Sequence, residues 1–311
     1  MNKFNVLVPG AGGAAGINTI KSLRLSNFSG IILATDSDNL APGFFLSDKH
    51  RVLPKANDTS FIKILLNVIT KHKISVLFPS SGYDIYPYSD NKKLLSDFGA
   101  EAVVSSRDVL EICRDKLMTF KYLNKKFPFT ETYTDINNHQ FPILAKPRYG
   151  KGSKNIFLIN NEIDLQYITQ KYTDMLYQEY LPGLEYTVDV LSDLDANPLI
   201  AVPRIRLQTK AGISTKGKVI RDSYIENMCM DIVKYLGIKG PCCIQLKKSK
   251  NNDLKIIEIN PRLGGGTIFT TLAGVNFPSM ILDIVQGNAL IIPKIKEITI
   301  LRYFEEIVIS S

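Results

Sequence analysis

A carboxylate and two side-chain amides recur at close spacing in this sequence. They stand in the order Gln245 … Glu258-Ile259-Asn260, followed at once by Pro261-Arg262 and by Leu263-Gly264-Gly265-Gly266. Side chains alternate along a strand, so Glu258 and Asn260 are expected on one face and Ile257 and Ile259 on the other. Cys242–Lys247 reads as a second strand and Ser249–Asp253 as the turn between the two, and folding that hairpin sets Gln245 opposite Glu258. Three oxygen donors beside the Arg262 guanidinium suit Mg²⁺, which binds through one or two carboxylates plus substrate phosphates and keeps several waters. An exposed hairpin with incidental polar residues is the plainer alternative. It leaves unexplained why Pro261 ends the strand where the donors end, and why three glycines that add no packing follow and invite close backbone approach.

The elements that must hold these groups can be followed along the chain. Phe141–Pro147 reads as a strand, Arg148–Lys154 as a glycine-rich turn, and Asn155–Leu158 as a second strand. Backbone N–H groups and lysine charges in such a flap, around Gly150 and Gly152, suit an anion such as a phosphate. Lys146 lies inside the apolar strand, where an ammonium needs a partner. Met175–Gly183 is a strand ending in a turn, and Leu184–Val190 a strand with Glu185, Thr187 and Asp189 on one face. A strand end of this kind offers backbone groups to an adenine edge, and a carboxylate four residues on can take ribose hydroxyls. Arg107–Lys126 reads as helical with Asp115-Lys116 midway, Leu199–Val219 as two strands, and Tyr224–Leu236 as an amphipathic helix. Thr267–Gly274 reads as helix or loop, Pro278–Val285 as a helix, and Ile291–Ile309 as strand-like, closing the sheet.

Residues 4 to about 110 alternate strand and helix: strands at Asn5–Val8, Gly30–Thr35 and Ser75–Phe78, helices at Gly16–Leu25, Thr59–His72 and Asp90–Phe98. This predicts a parallel sheet with helices on both faces. The turn from Gly10 to Gly16 follows a strand and opens a helix, and Asp36 closes the next strand, which is the context of a dinucleotide fingerprint. The Tyr-x-x-x-Lys pair that short-chain reductase chemistry needs occurs three times (Tyr88/Lys92, Tyr122/Lys126, Tyr167/Lys171), none where that fold would place it. The glycines serve equally as a tight turn or as an anion site. Ser81 and Asp84, after the strand ending at Phe78, are candidate substrate contacts, with Asp84 equally a helix cap.

The chain of 311 residues, with a net charge of +8, is of ordinary globular composition and has no apolar run long enough to span a bilayer. A cytoplasmic location is expected, with no membrane partner and, since the lysines are dispersed, no nucleic acid partner. The four cysteines and three histidines show no zinc spacing, and the thiols are expected to be reduced.

Taken in order, these pieces resemble the ATP-grasp superfamily, and most closely its carbamoyl-phosphate-synthetase-like branch of carboxylate–amine ligases. The resemblance rests on Gln245…Glu258-Ile259-Asn260-Pro261-Arg262, on the hinge Gln178–Asp189, and on Ala145-Lys146-Pro147…Gly150-Lys151-Gly152. It implies a Rossmann-like pre-ATP-grasp domain (1–110) of parallel α/β type, followed by a two-subdomain α+β ATP-grasp fold. The N-terminal subdomain (111–180) would carry the phosphate flap and the C-terminal subdomain (181–311) the metal site.

Under this resemblance Gln245, Glu258 and Asn260 hold Mg²⁺, with Mn²⁺ an alternative, on the phosphates of ATP. Arg262 stabilises the transferring phosphoryl group, and Lys116 and Lys146 meet the α- and β-phosphates. Glu179 and Leu181 meet adenine through the hinge backbone, and Glu185 binds ribose. Arg204, Arg206, Lys216 and Gly265 are candidate substrate contacts, the three basic residues alternatively forming a solvated strand face. The implied reaction activates a small-molecule carboxylate as an acylphosphate and joins it to an amine, with the flap and the Gly264–Gly266 loop closing over the intermediate. A homodimer is a candidate assembly. The chain lacks the glutaminase, allosteric and second synthetase regions of a carbamoyl phosphate synthetase, so that particular reaction is not expected. The rivals are an ATP-grasp kinase, an NAD(P)-dependent sugar epimerase or dehydratase, and a nucleotide sensor.

Overall fold

The structure, a computed structural model, describes residues 4–133, 139–150, 152 and 154–309. Strand β1 (Asn5–Pro9) is a buried apolar run whose side chains alternate. Val6 and Val8 enter one core and Leu7 another. Helix α1 (Ala14–Arg24) follows, then β2 (Ile32–Asp36), β3 (Lys49–Val52), α2 (Phe61–His72), β4 (Ile74–Leu77), α3 (Ile85–Asp90), α4 (Lys92–Asp97) and β5 (Glu101–Ala102). The strands pair in parallel in the order β3-β2-β1-β4-β5. Ile20 and Leu23 of α1 pack on one face and Phe61, Leu65 and Ile69 of α2 on the other. The expected parallel α/β layer is therefore present. The helix expected over 90–98 is α4, and α3 in front of it was not foreseen. β3 and β5 were not foreseen, because one is exposed along its length and the other is two residues long.

Next come α5 (Arg107–Arg114) and α6 (Lys116–Leu123), which replace the continuous helix expected over 107–126. Asp115 breaks it: its backbone is extended, and its side chain accepts from the Leu117 and Met118 amides as the N-cap of α6. Strands β6 (Thr132–Tyr133), β7 (Ile143–Pro147) and β8 (Phe157–Ile159), helix α7 (Glu162–Lys171) and strand β9 (Met175–Glu179) then form an antiparallel sheet in the order β6-β9-β7-β8. Helix α7 was missed by the sequence reading. It is capped by Asn161 and carries Glu162 and Asp164 in its first turn, but buries only Leu165 and Ile168.

The last sheet takes β10 (Glu185–Ser192), β11 (Pro198–Lys210), β12 (Ile213–Val219), β13 (Pro241–Lys248), β14 (Leu254–Asn260) and β15 (Thr299–Leu301) in the order β14-β13-β10-β11-β12-β15. Helix α8 (Ser223–Leu236), capped by Asp222 and ended by Gly237 at φ 69°, packs Ile225, Cys229, Ile232 and Val233 against one face. Of the strand-like run expected at 291–309, only β15 pairs, at the sheet edge beside β12.

Helices α9 (Thr267–Leu272) and α10 (Phe277–Gln286) lie between this sheet and the parallel one. One apolar core runs from Val6, Ile20 and Val76 through Phe269, Phe277 and Ile281 to Ile200, Val202 and Val219. Hydrogen bonds reinforce it: Ser22 with Thr271 (2.8 Å), and Asn276 to the Ser22 carbonyl (2.7 Å). No helix among the described residues is long and apolar enough to cross a membrane.

Candidate active site

The β13–β14 hairpin pairs Gln245 with Glu258 and Cys243 with Asn260. Its register slips between Gln245 and Leu246, because Leu246 pairs with Ile256 and leaves Ile257 as an extra residue. Ile256 and Ile259 therefore both enter the core, and Ile257 lies half-buried outside it. The expectation that Ile257 shares the face of Ile259 fails because of this bulge. What the bulge provides is the Ile257 carbonyl, which accepts from Lys146 Nζ at 3.1 Å. Glu258 and Asn260 remain two residues apart, as expected. Arg262 donates to Asn260 Oδ1 (3.3 Å) and to the Leu263 carbonyl (2.8 Å).

Glu258 is half-buried, and among the described residues no hydrogen bond or ion pair reaches its carboxylate. A half-buried carboxylate flanked by two amide oxygens is the donor set of a hard cation, so these residues fit Mg²⁺. Two ammonium groups face it. Lys146 is 6 % exposed, and burial pushes its pKa down to about 8, with Glu258 opposing the shift and Lys116 adding to it. Burial also lowers that of Lys116, against the attraction of Glu258 and Asp115. Lys116 Nζ donates to the Gly150 carbonyl at 3.3 Å. Gly150 and Gly152 are exposed, Gly152 at φ 69°. Lys151 and Ser153 of the expected flap lie outside the described residues.

The neighbouring strands complete this face. Glu185 pairs with Arg206 at 2.5 Å, and Arg206 also donates to Gln245 Oε1 (3.1 Å) and to the Gly212 carbonyl (2.7 Å). These three side chains form one chain across β10, β11 and β13. Arg204, a candidate substrate contact, is instead 2 % exposed and ion-paired with Asp189, which also accepts from Thr270 Oγ1 at 2.6 Å. Lys216 is exposed and alternates with Gly217, which backs onto Phe269, so it points away from the site.

The glycine loop does make close approaches, but to the chain's own groups. A Cβ on Gly266 would strike the Arg204 guanidinium, and one on Gly264 would lie 3.2 Å from Cys243 Sγ. The loop is also docked. Leu263 N–H donates to the Pro79 carbonyl (2.9 Å), and the Gly265 carbonyl accepts from Asn18 (2.8 Å) and from Arg302 Nη2 (2.6 Å). These bonds tie the loop to the front layer and to Arg302. Arg302 was missed by the sequence reading, which saw only a strand-like run there. Its guanidinium lies 4.9 Å over the Phe269 ring, and burial together with nearby Arg204 lowers its pKa to about 10.

At the hinge, Glu179 is ion-paired with Lys255 and accepts from the Glu131 amide at 2.9 Å. Leu181 is buried, and among the described residues nothing accepts from its N–H. In the first turn, the Asp36 carboxylate accepts from the Gly12 and Asp38 amides (2.7 and 3.0 Å), so the group that a dinucleotide reading assigns to ribose closes on the turn itself. Ser81 Oγ accepts from the Tyr83 amide (3.2 Å), and Asp84 stands at the N-cap position of α3.

Residues 171–307 match the family described as "ATP-grasp in the biosynthetic pathway with Ter operon", and residues 7–103 match "PylC-like, N-terminal domain". The arginine-specific large chain of carbamoyl phosphate synthase from Halalkalibacterium halodurans is 22 % identical over 301 residues, covering 88 % of this chain and 28 % of that protein. The chain therefore spans little more than a quarter of that relative. Among solved structures, the biotin carboxylase domain dimer of Hydrogenobacter thermophilus 2-oxoglutarate carboxylase, with MgADP, ADP and bicarbonate, superposes with a TM-score of 0.72 at 15 % identity. It covers 92 % of this chain and 70 % of that one. N5-carboxyaminoimidazole synthetase from Staphylococcus aureus complexed with ADP gives 0.70 at 18 % identity, covering 94 % and 80 %. The chain thus carries an ATP-grasp region over residues 171–307, behind a PylC-like region over 7–103, in a fold shared along nearly its whole length with these solved structures.

Proposed function

We propose that the chain is an ATP-dependent carboxylate–amine ligase, its front layer (1–110) a pre-ATP-grasp domain and the rest (111–180 and 181–311) two subdomains around the nucleotide. The observation that carries this is Glu258: a half-buried carboxylate without a hydrogen-bond or ion-pair partner among the described residues, set between Gln245 and Asn260 and facing Lys116 and Lys146. The relatives with bound ADP and MgADP support the choice of nucleotide. Bound Mg²⁺ supplies charge neutralisation at the phosphates.

Lys116 and Lys146 hold the nonbridging phosphate oxygens, and Arg262 takes the charge that develops on the transferring group. The N–H of Leu181, which has no acceptor among the described residues, and the backbone at Glu179 meet the adenine edge, and Glu185 meets ribose from its place beside Arg206. A carboxylate oxygen of the acid substrate attacks the γ-phosphorus and the bond to the β-phosphate oxygen breaks, giving an acylphosphate and ADP. The amine then adds at the acyl carbon, loses a proton and expels phosphate. Arg302 beside Gly265 offers the substrate a guanidinium for which no ion pair exists among the described residues. Placement and charge complementarity carry the transfer, with no covalent nucleophile. A homodimer is the proposed assembly, as in the dimeric biotin carboxylase domain.

Thermal denaturation tests the nucleotide: Mg·ATP is expected to raise the midpoint by several degrees, whereas NAD(P)H leaves it unchanged. The reverse result would reject the ligase. A screen of acid and amine pools for ADP release follows, in which amine-independent turnover with a stable phosphorylated product would identify a kinase instead.

Lys146 adds a pH test. Affinity for Mg·ATP is expected to fall as pH rises through about 8, where the buried ammonium loses its proton. Lys146→Arg, charged throughout that range, should flatten the profile. Stability moves the other way. The folded pKa lies below the ordinary 10.5, so between about 8 and 10.5 the unfolded chain binds the proton that the folded chain has released, and the free protein gains stability as pH rises. An ATP affinity that is flat across this window would contradict the role of Lys146.

A further inference from the structure

The Asp115 carboxylate, 2 % exposed, accepts five hydrogen bonds. Two come from the Leu117 and Met118 amides (3.0 and 3.2 Å), two from Arg148 Nε and Nη2 (2.8 and 2.5 Å), and one from the Tyr149 hydroxyl (2.9 Å). It thereby joins two segments distant in sequence. One is the first turn of α6, which begins at Lys116. The other is the chain leaving β7, two residues beyond Lys146. The Lys116 amide donates to the Arg148 carbonyl (3.4 Å), and its Nζ reaches Gly150 (3.3 Å).

A stack of rings and guanidinium groups surrounds this junction. Arg148 and Arg114 lie 5.3 and 5.6 Å from the Tyr149 ring, and Arg114 and Arg107 lie 5.4 and 5.0 Å from the ring of Tyr86 in α3. Burial alone would push the Asp115 carboxyl up, but Arg148, Tyr149 and the α6 amides hold it down at about 2, so it stays ionised at any working pH.

Lys116 and Lys146 repel each other, each being desolvated and each facing Glu258. Two such charges do not stay side by side without a scaffold, because the free chain gains by letting one swing into water. Lys146 has its own tether in the Ile257 carbonyl. Lys116 has a longer contact, to the Gly150 carbonyl on the exposed turn beyond β7. The junction at Asp115 fixes the start of α6 relative to β7 through a bidentate pair that sets direction as well as distance.

We propose that Asp115 is a positioning residue: with Arg148 and Tyr149 as counterparts, it holds Lys116 opposite Lys146 so that both ammonium groups are in place before the nucleotide phosphates arrive. This rests on the reading of the two lysines as ATP ligands. It differs from a simple helix cap in what it predicts, because a cap contributes to stability whether or not residue 116 is a lysine.

The test is a double-mutant cycle in Mg·ATP affinity, measured by titration calorimetry on the full chain. Asp115→Asn is expected to weaken binding roughly ten-fold in the presence of Lys116 and by no more than about two-fold in a Lys116→Ala background. An equal loss in both backgrounds, or no loss in the first, would overturn the proposal. Should Asp115→Asn fail to fold, Tyr149→Phe removes one of the five bonds and leaves the cap intact. Its smaller loss should likewise vanish without Lys116, and persistence there counts against the proposal. If the unsubstituted chain does not bind Mg·ATP at all, the ATP reading itself falls and this proposal falls with it. Binding by the parent chain with an additive cycle removes only the role of Asp115.

Discussion

Glu258→Gln is expected to lower ADP formation by roughly a thousand-fold or more while leaving the fold and melting temperature nearly unchanged. The substitution keeps the shape of the side chain and removes the one formal negative charge among Gln245, Glu258 and Asn260. No hydrogen bond from a described residue to the carboxylate is lost, so the packing has little to register. The loss has two parts. A cation held only by amide oxygens binds weakly, and without Glu258 the Lys146 ammonium loses the attraction that opposes its desolvation, so it deprotonates at lower pH. The pH at which Mg·ATP affinity falls should therefore move down in this variant, a signature that a mere loss of metal would not give. Arg262→Ala should also abolish turnover, but without that pH displacement. The measurement is ADP release with the identified substrates, alongside calorimetric binding of Mg·ATP. Turnover at the parent rate in Glu258→Gln would refute the assignment of the site.

The second large effect concerns stability. Arg204→Met and Asp189→Ala are each expected to destabilise the fold by roughly 3–5 kcal/mol, because each leaves a charge buried without its partner. The side chains are 3 % and 2 % exposed, with Arg204 packed beneath Gly266 and Asp189 fixed by Thr270. Burial works against the Arg204 charge, and Asp189 together with Cys243 more than restores it. The double replacement Asp189→Leu with Arg204→Met should recover most of the loss, since a pair of apolar side chains carries no desolvation cost. Chemical denaturation of the four proteins gives the answer. Single variants within about 1 kcal/mol of the parent would mean that the pair is solvated and Arg204 is free for substrate after all.

How much of this was legible in the sequence depended on the distance between partners. The hairpin that sets Gln245 against Glu258 could be read because a short turn fixes the register of two adjacent strands, and Pro261 marks where they stop. The parallel layer could be read because strand and helix alternate within some hundred residues. The bulge at Ile257 could not, since nothing in Lys255–Asn260 distinguishes an isoleucine that faces the core from one that is squeezed out beside Lys146. Asp115 caps α6 locally, but its bonds to Arg148 and Tyr149 more than thirty residues on lie beyond the reach of any local pattern. Arg204 carries the same letter whether it waits for a substrate or is sealed against Asp189, and only the packing of Gly266 decides between them. Arg302 reaches Gly265 from a segment whose sequence announces only β-propensity.

The seating of the glycine loop on the front layer restricts how this molecule can change over evolutionary time. Pro79 and Asn18 supply partners to Leu263 and Gly265, while Ser22 meets Thr271. Exchanging residues 7–103 for the equivalent piece of another enzyme would strip those partners from a loop that abuts Arg204. The graft would have to bring a first helix with an amide and a hydroxyl at the same two steps. The front layer and the loop must therefore drift as a matched pair, and shuffled modules of this architecture should be recoverable only where that helix has travelled with its loop.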